Sequence, residues 1–234
     1  MPFERCLFLS SECRFTVFKF LCMKSHKISN KGTEKLFQNT VLERLTRTNF
    51  LLPVIMYFVA AILILYFASK HNLHFYWRVL FWFPFGILIF TLTEYLIHRF
   101  LFHFEARDES ESEFKYKIHG VHHAYPRDKD RLAMPPVISI LLAILFYFLF
   151  KALLAEEVLL FFPGFLSGYS IYLMIHFAVH RYRPPRNFLK ILWTHHALHH
   201  YKDENSSYAV SMPIWDYIFR TLPQKNKSVA DHSQ

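Results

Sequence analysis

Cysteine is scarce in this 234-residue chain and is confined to its beginning, at Cys6, Cys13 and Cys22. Neither a disulfide framework nor a cysteine-based zinc site can therefore hold the rest of the chain together. Glycine, with 5 residues, and proline, with 11, are too infrequent for a collagen-like or linker-like chain. Charged residues make up only 19% of the sequence against 53% hydrophobic residues, which excludes an intrinsically disordered chain.

Long apolar blocks are what the sequence has instead. Residues 50–68 and 79–97 carry at most one charge each and would form helices of about 28 Å, close to the thickness of the hydrocarbon layer of a membrane. A second pair covers residues 137–150, extendable past Lys151 to Ala155, and 158–179. The blocks predict an all-α integral membrane protein with four transmembrane helices in two hairpins. For the second pair, a re-entrant or half-buried hairpin is the alternative.

Lysine and arginine lie mostly outside these blocks and give the chain a formal net charge of +9. They are dense before residue 50, between residues 99 and 131, and after residue 181, whereas the hairpin turns carry only Lys70, Arg78 and Lys151. By the positive-inside rule, the N-terminal, central and C-terminal segments face the cytoplasm. Because this topology accounts for the basic charge and no base-reading motif appears, we expect no nucleic-acid partner.

The same pattern divides the chain into three parts. We expect a cytosolic or interfacial N-terminal segment at 1–49, a membrane and catalytic domain at 50–223, and a flexible C-terminal tail at 224–234. The first 22 residues lack the clean apolar stretch of a signal peptide. They either form an interfacial helix or are not translated, with translation beginning at Met23.

Histidine is unusually frequent, with 15 residues. Four clusters lie outside the apolar blocks or at their ends: His98 and His103; His119, His122 and His123; His176 and His180; and His195, His196, His199 and His200. Residues four apart share one face of a helix, so His176 and His180 can chelate one metal ion. In HGVHH and HALHH, the first histidine can pair with either of the last two. The adjacent histidines point about 100° apart and can serve different ions.

His98 and His103 are five residues apart, which is about 140° around a regular helix. Either the helix breaks between them or each serves a different metal. Imidazole suits zinc, iron, copper and nickel, and ten clustered histidines exceed the four ligands of a structural zinc site. Two metal ions with about five histidines each is therefore the economical interpretation. The isolated histidines are expected to be solvated or interfacial: His26, His71, His74 and His232.

The chain resembles the membrane-bound fatty acid hydroxylase superfamily over residues 91–223, and most closely the fatty acid 2-hydroxylase branch. The segments that carry the resemblance are EYLIHRFLFH (94–103), HGVHHAYPRDKDRLAMPP (119–136), GYSIYLMIHFAVH (168–180) and HHALHHYKDENSSYAVSMPIWDYIFRTL (195–222). The resemblance implies a four-helix membrane fold capped by a cytosolic helical domain with a histidine-rich dimetal site. It also implies an oxidoreductase, a monooxygenase that hydroxylates carbon 2 of a fatty acyl chain, free or within a sphingolipid.

The resemblance further implies ten metal ligands: His98, His103, His119, His122, His123, His176, His180, His196, His199 and His200. His195 is expected to support the ligands or to face substrate, although its spacing from His199 does not exclude it as a ligand. Glu94, one turn before His98, is expected to accept a hydrogen bond from the second nitrogen of that ring, or else to face polar cap residues. Weaker candidates for such support are Asp128, Asp130, Asp203 and Asp216, and for binding a lipid head group Arg127, Arg131, Tyr201 and Lys202.

Breaking an acyl C–H bond requires an oxidant made from O₂ at a redox-active metal, and zinc is redox-silent. We therefore expect two iron ions in the active enzyme, even if purified material contains zinc, and O₂ as co-substrate. Many relatives carry a cytochrome b5 domain, which has no counterpart before residue 50, so we expect a separate electron donor of cytochrome b5, ferredoxin or reductase type. The expected substrate is a membrane lipid, in the endoplasmic reticulum of a eukaryote or the inner membrane of a bacterium.

Two features leave alternatives open. Leu173 stands where relatives often have an acidic residue, so other members of the superfamily, such as lipid or sterol desaturases and oxidases, are alternatives. A membrane protein that binds or transports metal without catalysis is a further one. The small residues Gly164, Ser167 and Gly168 predict either a slot for the acyl chain or close helix packing, and Pro163 suggests a bend.

Overall fold

A computed structural model of the chain describes residues 28–71 and 75–223. Within these ranges the structure is helical and contains no strand, which confirms the all-α fold class. The helices are α1 Thr40–Leu45, α2 Leu51–His71, α3 Phe75–Ile97, α4 Glu109–Lys115, α5 Val121–Ala124, α6 Pro136–Leu154, α7 Val158–Arg181, α8 Lys190–Tyr201 and α9 Ile214–Ile218. Single π-helical turns occupy His98–Phe102 and Tyr116–Gly120, and 3₁₀ turns occupy Lys129–Arg131 and Ala155–Glu157. The predictions for residues 1–22, for the side chains of His26, His71, His74 and His232, and for the tail lie outside the described residues.

Three stretches are long and apolar enough to cross a membrane: Leu51–Lys70, Tyr76–Phe102 and Lys129–Arg181. The third, of 53 residues, contains both α6 and α7, which are separated at Ala155, where φ is 50°. Helix α6 runs for 19 residues, about 28 Å, so the apolar block does continue past Lys151. The chain is an integral membrane protein with four long helices in its described part. The prediction of four complete spans remains a prediction.

Helix α7 is the central helix and packs along α2 and α3. Glycines allow the backbones of α3 and α7 to touch: a Cβ at Gly164 would lie 2.0 Å from the Phe83 carbonyl oxygen, and one at Gly86 would lie 2.1 Å from that of Phe161. A Cβ at Gly168 would likewise lie 2.6 Å from the Cβ of Phe90. The alternative of an acyl-chain slot is therefore wrong at Gly164 and Gly168, because α3 fills that space.

Helix α6 lies at the edge of the bundle, and Ser139 is its only buried residue. The Tyr57 hydroxyl donates to the Ser139 hydroxyl at 3.0 Å, which ties α6 to α2. Large apolar side chains on the outer faces remain exposed, among them Ile62 on α2 and Leu141 on α6. An exposed apolar surface of this kind is the one expected of helices that contact lipid.

The four histidine clusters lie at one end of the bundle, where α2 and α6 begin and α3 and α7 end. Phe50, just before α2, stacks on Phe177 near the end of α7, with ring centroids 3.8 Å apart. At the opposite end, Arg78 of α3 forms an ion pair with Glu157 in the turn between α6 and α7. The structure therefore places all four clusters on one side of the apolar slab, as the sequence predicted.

The segment before α2 packs onto the histidine end. The Ser29 N–H donates to the Ala124 carbonyl at 2.8 Å. The buried Arg131 guanidinium lies 2.7 Å from the Glu43 carboxylate and donates to the Glu34 carbonyl at 2.7 Å. The prediction that Arg131 orients a lipid head group is therefore wrong, because its charge is engaged inside the protein.

Candidate metal centre

Ten histidines converge in two groups of five. The first group consists of His98, His103, His119, His123 and His199, and the second of His122, His176, His180, His196 and His200. Within each group, one nitrogen from every ring lies within 4.8 Å of the others. All of the rings are buried except that of His123, which is partly buried. The structure thus brings together the ten residues that the resemblance implies as ligands, and it divides them equally.

Adjacent histidines belong to different groups. In α5, His122 belongs to the second group and His123 to the first. In α8, His199 belongs to the first group and His200 to the second. Among these ten histidines, the pairs four residues apart share a group, because their side chains lie on one face of a helix.

A π-helical turn brings His98 and His103 together. The His103 N–H donates to the His98 carbonyl at 3.2 Å, which is the i to i+5 bond of a π turn. The wider turn moves residues five apart towards one face, and the two ring centroids lie 5.0 Å apart. Of the two alternatives, the helix therefore departs from regular α geometry, and both histidines serve the first group.

Main-chain carbonyls contact the Nδ1 atoms of three of the rings. The Nδ1 atom of His199 lies 2.8 Å from the Ser206 carbonyl oxygen, and that of His176 lies 3.3 Å from the Leu132 oxygen. The Nδ1 atom of His98 contacts the Tyr208 carbonyl in the same way. Because a carbonyl only accepts hydrogen bonds, Nδ1 carries the proton in each ring, and the lone pair of Nε2 faces the group.

The spacing of the Nε2 atoms fits a metal ion in each group. In the second group, the His122 and His176 Nε2 atoms are 3.1 Å apart, and those of His180 and His196 are 2.8 Å apart. Two nitrogens that are each about 2.1 Å from one ion, at 90° to each other, lie about 3.0 Å apart. Both nitrogens of His103 and His200 are buried with no hydrogen-bond partner among the described residues, which is costly unless another species binds them. The residues present can hold two metal ions.

Burial also keeps these rings neutral. Burial, with His199 and Lys115 nearby, lowers the pKa of His103 to about 2. Burial lowers the pKa of His199 to about 4, although its bond to the Ser206 carbonyl opposes the change. Because a metal binds the neutral imidazole, the rings are in the required protonation state at neutral pH.

Asp216 organises the segment that supplies two of those carbonyls. Its carboxylate accepts hydrogen bonds from the Tyr208 and Ala209 N–H groups at 2.9 and 2.8 Å, and from the Thr221 hydroxyl at 2.6 Å. The Nε2 atom of His195 lies 2.8 Å from the same carboxylate. Burial alone would raise the pKa of Asp216, but these hydrogen bonds lower it below its ordinary value. His195 lies in neither histidine group and links α8 to Asp216.

Glu94 holds the next part of the same segment. Its carboxylate accepts hydrogen bonds from the Val210 and Ser211 N–H groups at 2.7 and 3.2 Å, and from the Ser211 hydroxyl. The prediction that Glu94 accepts a hydrogen bond from His98 is therefore wrong, because that ring nitrogen contacts the Tyr208 carbonyl. The two buried carboxylates together satisfy four consecutive backbone N–H groups, at residues 208–211.

Sequence reasoning missed the carbonyls of Leu132, Ser206 and Tyr208. They act through the main chain, so their residue types carry no signal for this role. Among the weaker candidates, Asp216 is the one that holds the segment of these carbonyls. Asp203 accepts a hydrogen bond from the Asn205 N–H in the turn that leads to Ser206. Leu173 is buried in an apolar cluster with Val54 and Ala133.

Comparison with known proteins agrees with this arrangement. The chain is 39% identical to the fatty acid 2-hydroxylase of Rattus norvegicus over 144 residues, which are 60% of this chain and 39% of the relative. It is 37% identical to the ceramide very long chain fatty acid hydroxylase SCS7 of Saccharomyces cerevisiae, over 82% of this chain and 50% of that protein. The chain therefore spans about two fifths to one half of these relatives.

A solved structure described as full-length scs7p, with only the hydroxylase domain visible, superposes with a TM-score of 0.74 at 36% identity. The superposition covers 83% of this chain and 74% of that one. Residues 83–221, more than half of the chain, match the sequence profile described as fatty acid hydroxylase. This protein belongs to the fatty acid hydroxylase family.

Proposed function

We propose that this protein is an O₂-dependent di-iron lipid hydroxylase. It adds a hydroxyl group to carbon 2 of a fatty acyl chain, either a free fatty acid or the N-acyl chain of a sphingolipid. The observation that carries the proposal is the pair of five-histidine groups at one end of a membrane bundle, in a chain of the fatty acid hydroxylase family. The names of the rat and yeast relatives support this class of substrate.

Each histidine group would hold one metal ion, and the ten histidines would be its ligands. When bound, a pair of redox-active ions such as iron supplies the oxidising power, drawn from O₂, that an acyl C–H bond requires. Zinc binds the same nitrogens but has no redox chemistry, so we assign it only to purified material. In the net reaction, one oxygen atom enters the C–H bond, and the other leaves as water with an electron pair and two protons supplied from outside.

The protein's own contribution is to hold the rings and to place the site. The carbonyls behind His98, His176 and His199 keep each Nε2 lone pair directed into its group, and burial keeps the rings neutral. Each group takes histidines from the end of a long helix: His98 directly follows α3, and His176 and His180 lie near the end of α7. A lipid held at the membrane surface by its head group presents the carbons next to that head group to such a site sooner than the middle of its chain. This supports attack beside a carboxyl or amide.

The histidine end faces the cytoplasm in this proposal. Exposed cations follow α7 on that side, at Arg181, Arg183, Arg186 and Lys190, as the positive-inside rule requires. The membrane is the endoplasmic reticulum in a eukaryote and the inner membrane in a bacterium. Electrons come from a separate donor of cytochrome b5, ferredoxin or reductase type. The membrane and catalytic domain is residues 50–223, preceded by a cytosolic or interfacial segment at 1–49 and followed by a tail at 224–234.

The test is lipid mass spectrometry of cells that express the wild type, His176→Ala or His232→Ala. The wild type and His232→Ala, which removes a histidine outside the four sequence clusters, should add one oxygen to acyl lipids, with fragmentation placing it on carbon 2. His176→Ala should abolish the product, because it removes a nitrogen of the second group. Metal analysis of each purified protein shows whether a variant that loses the product has also lost metal ions.

Two results would replace the proposal. An alkene without any hydroxylated lipid would indicate a desaturase of the same superfamily. Metal flux into reconstituted vesicles, without an O₂-dependent product, would indicate a transport protein.

A further inference from the structure

The chain returns to the membrane-spanning helix α3 after the last histidine cluster. The Trp215 Nε1–H donates to the Thr91 hydroxyl at 3.0 Å, and the Met212 sulfur lies 3.5 Å from the same hydroxyl. The Phe219 ring stacks on Tyr95, with ring centroids 5.0 Å apart. Helix α9 therefore lies alongside α3 at the level of Thr91 to Tyr95.

This level lies inside the apolar slab. The Arg78–Glu157 ion pair marks the far edge of the slab. Thr91 and Tyr95 follow Arg78 by thirteen and seventeen residues, which is about 20 and 26 Å along a helix. The hydrocarbon layer is about 30 Å thick. Helix α9 consequently lies just inside the hydrocarbon layer, near the edge at the histidine end of the bundle.

Helix α9 has a buried polar face and an exposed apolar face. Asp216 is 0% exposed and holds the N–H groups of the preceding segment. On the opposite face, Ile214, Tyr217 and Ile218 are 50%, 59% and 57% exposed. Asp216 is the only charged residue in the helix, and Arg220 follows its end by two positions. Apolar residues so exposed and so close together mark a surface that something other than water covers.

We infer that the outer face of α9 is a membrane-contact surface, occupied by lipid at the boundary between the acyl chains and the head groups. The depth of α9 and the exposed apolar residues of α3 near the same level, Leu88 and Leu96, favour lipid over a partner protein. A helix in the plane of the interface buries its apolar face about 5–10 Å into this boundary. The exposed Arg220 stands where its side chain can extend to lipid phosphates.

The contact has a consequence for the site. Helix α9 presents Ile214 and Ile218 to lipid and Asp216 to the protein interior. The segment that Asp216 holds supplies the carbonyls that orient His98 and His199. One five-residue helix therefore joins the bilayer surface to the first histidine group. The inference rests on the chain spanning a membrane and does not depend on the proposed reaction.

The test is a depth measurement by electron paramagnetic resonance on the full chain. Cys6, Cys13 and Cys22 are replaced by serine, and a nitroxide label is attached to a single cysteine introduced as Ile218→Cys. The protein is loaded with zinc, which is diamagnetic, and reconstituted in nanodiscs of phosphatidylcholine and phosphatidylserine. Leu141→Cys, on the exposed face of α6, is the matched lipid control, and Glu204→Cys, in an exposed loop, is the water control.

The Ile218→Cys label should collide with O₂ more than with a water-soluble nickel chelate. The ratio of the two collision rates should be several-fold above that of Glu204→Cys and should approach that of Leu141→Cys. A ratio equal to that of Glu204→Cys would overturn the inference, because the face would then contact water. Low collision with both reagents, or dipolar broadening between labels, would also overturn it, in favour of a partner protein or a second copy. Unchanged zinc content verifies the fold, and Tyr217→Cys provides the same measurement if Ile218→Cys does not fold.

Discussion

At the residue scale, the centre consists of neutral imidazoles that are held from behind by the main chain. The carbonyls of Ser206 and Tyr208 orient two rings of the first group, and Asp216 holds the backbone that carries Tyr208. Groups that fix metal ligands in this way commonly change metal affinity by about 10–100-fold when they are altered. Two predictions test this organisation.

Asp216→Asn should weaken metal binding in the first group by about 10–100-fold. The amide nitrogen would face a backbone N–H, so the Tyr208 or Ala209 donor would lose its acceptor, at a cost of about 1–3 kcal/mol of stability. Metal content after titration with a chelator, together with the unfolding temperature, measures both effects. Asp108→Asn is the matched control, because its carboxylate accepts a hydrogen bond from the Glu111 N–H at the exposed N-terminus of α4. Wild-type affinity in Asp216→Asn would show that the carboxylate does not support the ligands.

His195→Ala and His196→Ala should differ although the two residues are adjacent. His195 contacts Asp216, so its loss should lower the unfolding temperature while both metal ions stay bound. His196 belongs to the second group, so its loss should release the ion of that group. Elemental analysis of the two purified variants makes the comparison. The opposite result, with an ion lost only from His195→Ala, would make His195 a ligand.

At the element scale, four-residue helical spacing positions most of the histidines, and the π turn at His98–Phe102 brings together His98 and His103, which are five residues apart. The other π turn contains His119. Helix packing then brings the clusters together, because Gly86 and Gly164 let the backbones of α3 and α7 approach closely.

Insertion of one alanine between Leu101 and Phe102 should empty the first group. His103 would then follow His98 by six residues, and the i to i+5 geometry could no longer place both on one face. The metal content should fall to about half, because the second group stays intact, and lipid hydroxylation should be lost. An alanine inserted between Glu105 and Ala106, in the non-helical segment that follows, is the control. Full metal content in the first variant would refute the role of the π turn.

At the scale of the whole molecule, a cluster of buried neutral histidines makes the metal-free fold sensitive to acid. The pKa of His199 is about 4 in the folded state, against about 6.5 in an unfolded chain. Between these values the unfolded state binds more protons, so stability rises with pH and is lost as the pH falls below about 6.5. For His199 alone the loss at pH 5 is about 2 kcal/mol.

The unfolding temperature of the metal-free protein should therefore fall between pH 7 and pH 5, and bound metal should reduce the fall. Asp216 does not change the stability between pH 7 and pH 5. Because its pKa is lowered in the folded state, its contribution to stability is complete above the ordinary carboxyl pKa and is lost only in stronger acid. Scanning calorimetry in detergent, with and without zinc, makes the measurement. An unfolding temperature that does not change from pH 7 to pH 5 would contradict the buried, neutral state of the rings.

Several features of the molecule could be predicted from the amino-acid sequence. The long helices follow from apolar length, because about twenty apolar residues in a row match a membrane whatever their neighbours are. The ten clustered histidines and their equal division follow from their number and from the four-residue spacing of pairs such as His176 and His180. These properties are local, so they can be read along the chain.

Other features depended on the tertiary structure. Which of two adjacent histidines serves which group, the π turn after α3, and the contact of Gly164 with Phe83 all depend on how distant helices pack. The acceptor for His98 is a main-chain carbonyl of Tyr208, and every residue has such a carbonyl, so no residue type could indicate it. The sequence determined which side chains could bind metal, and long-range packing decided how they are oriented and what holds them.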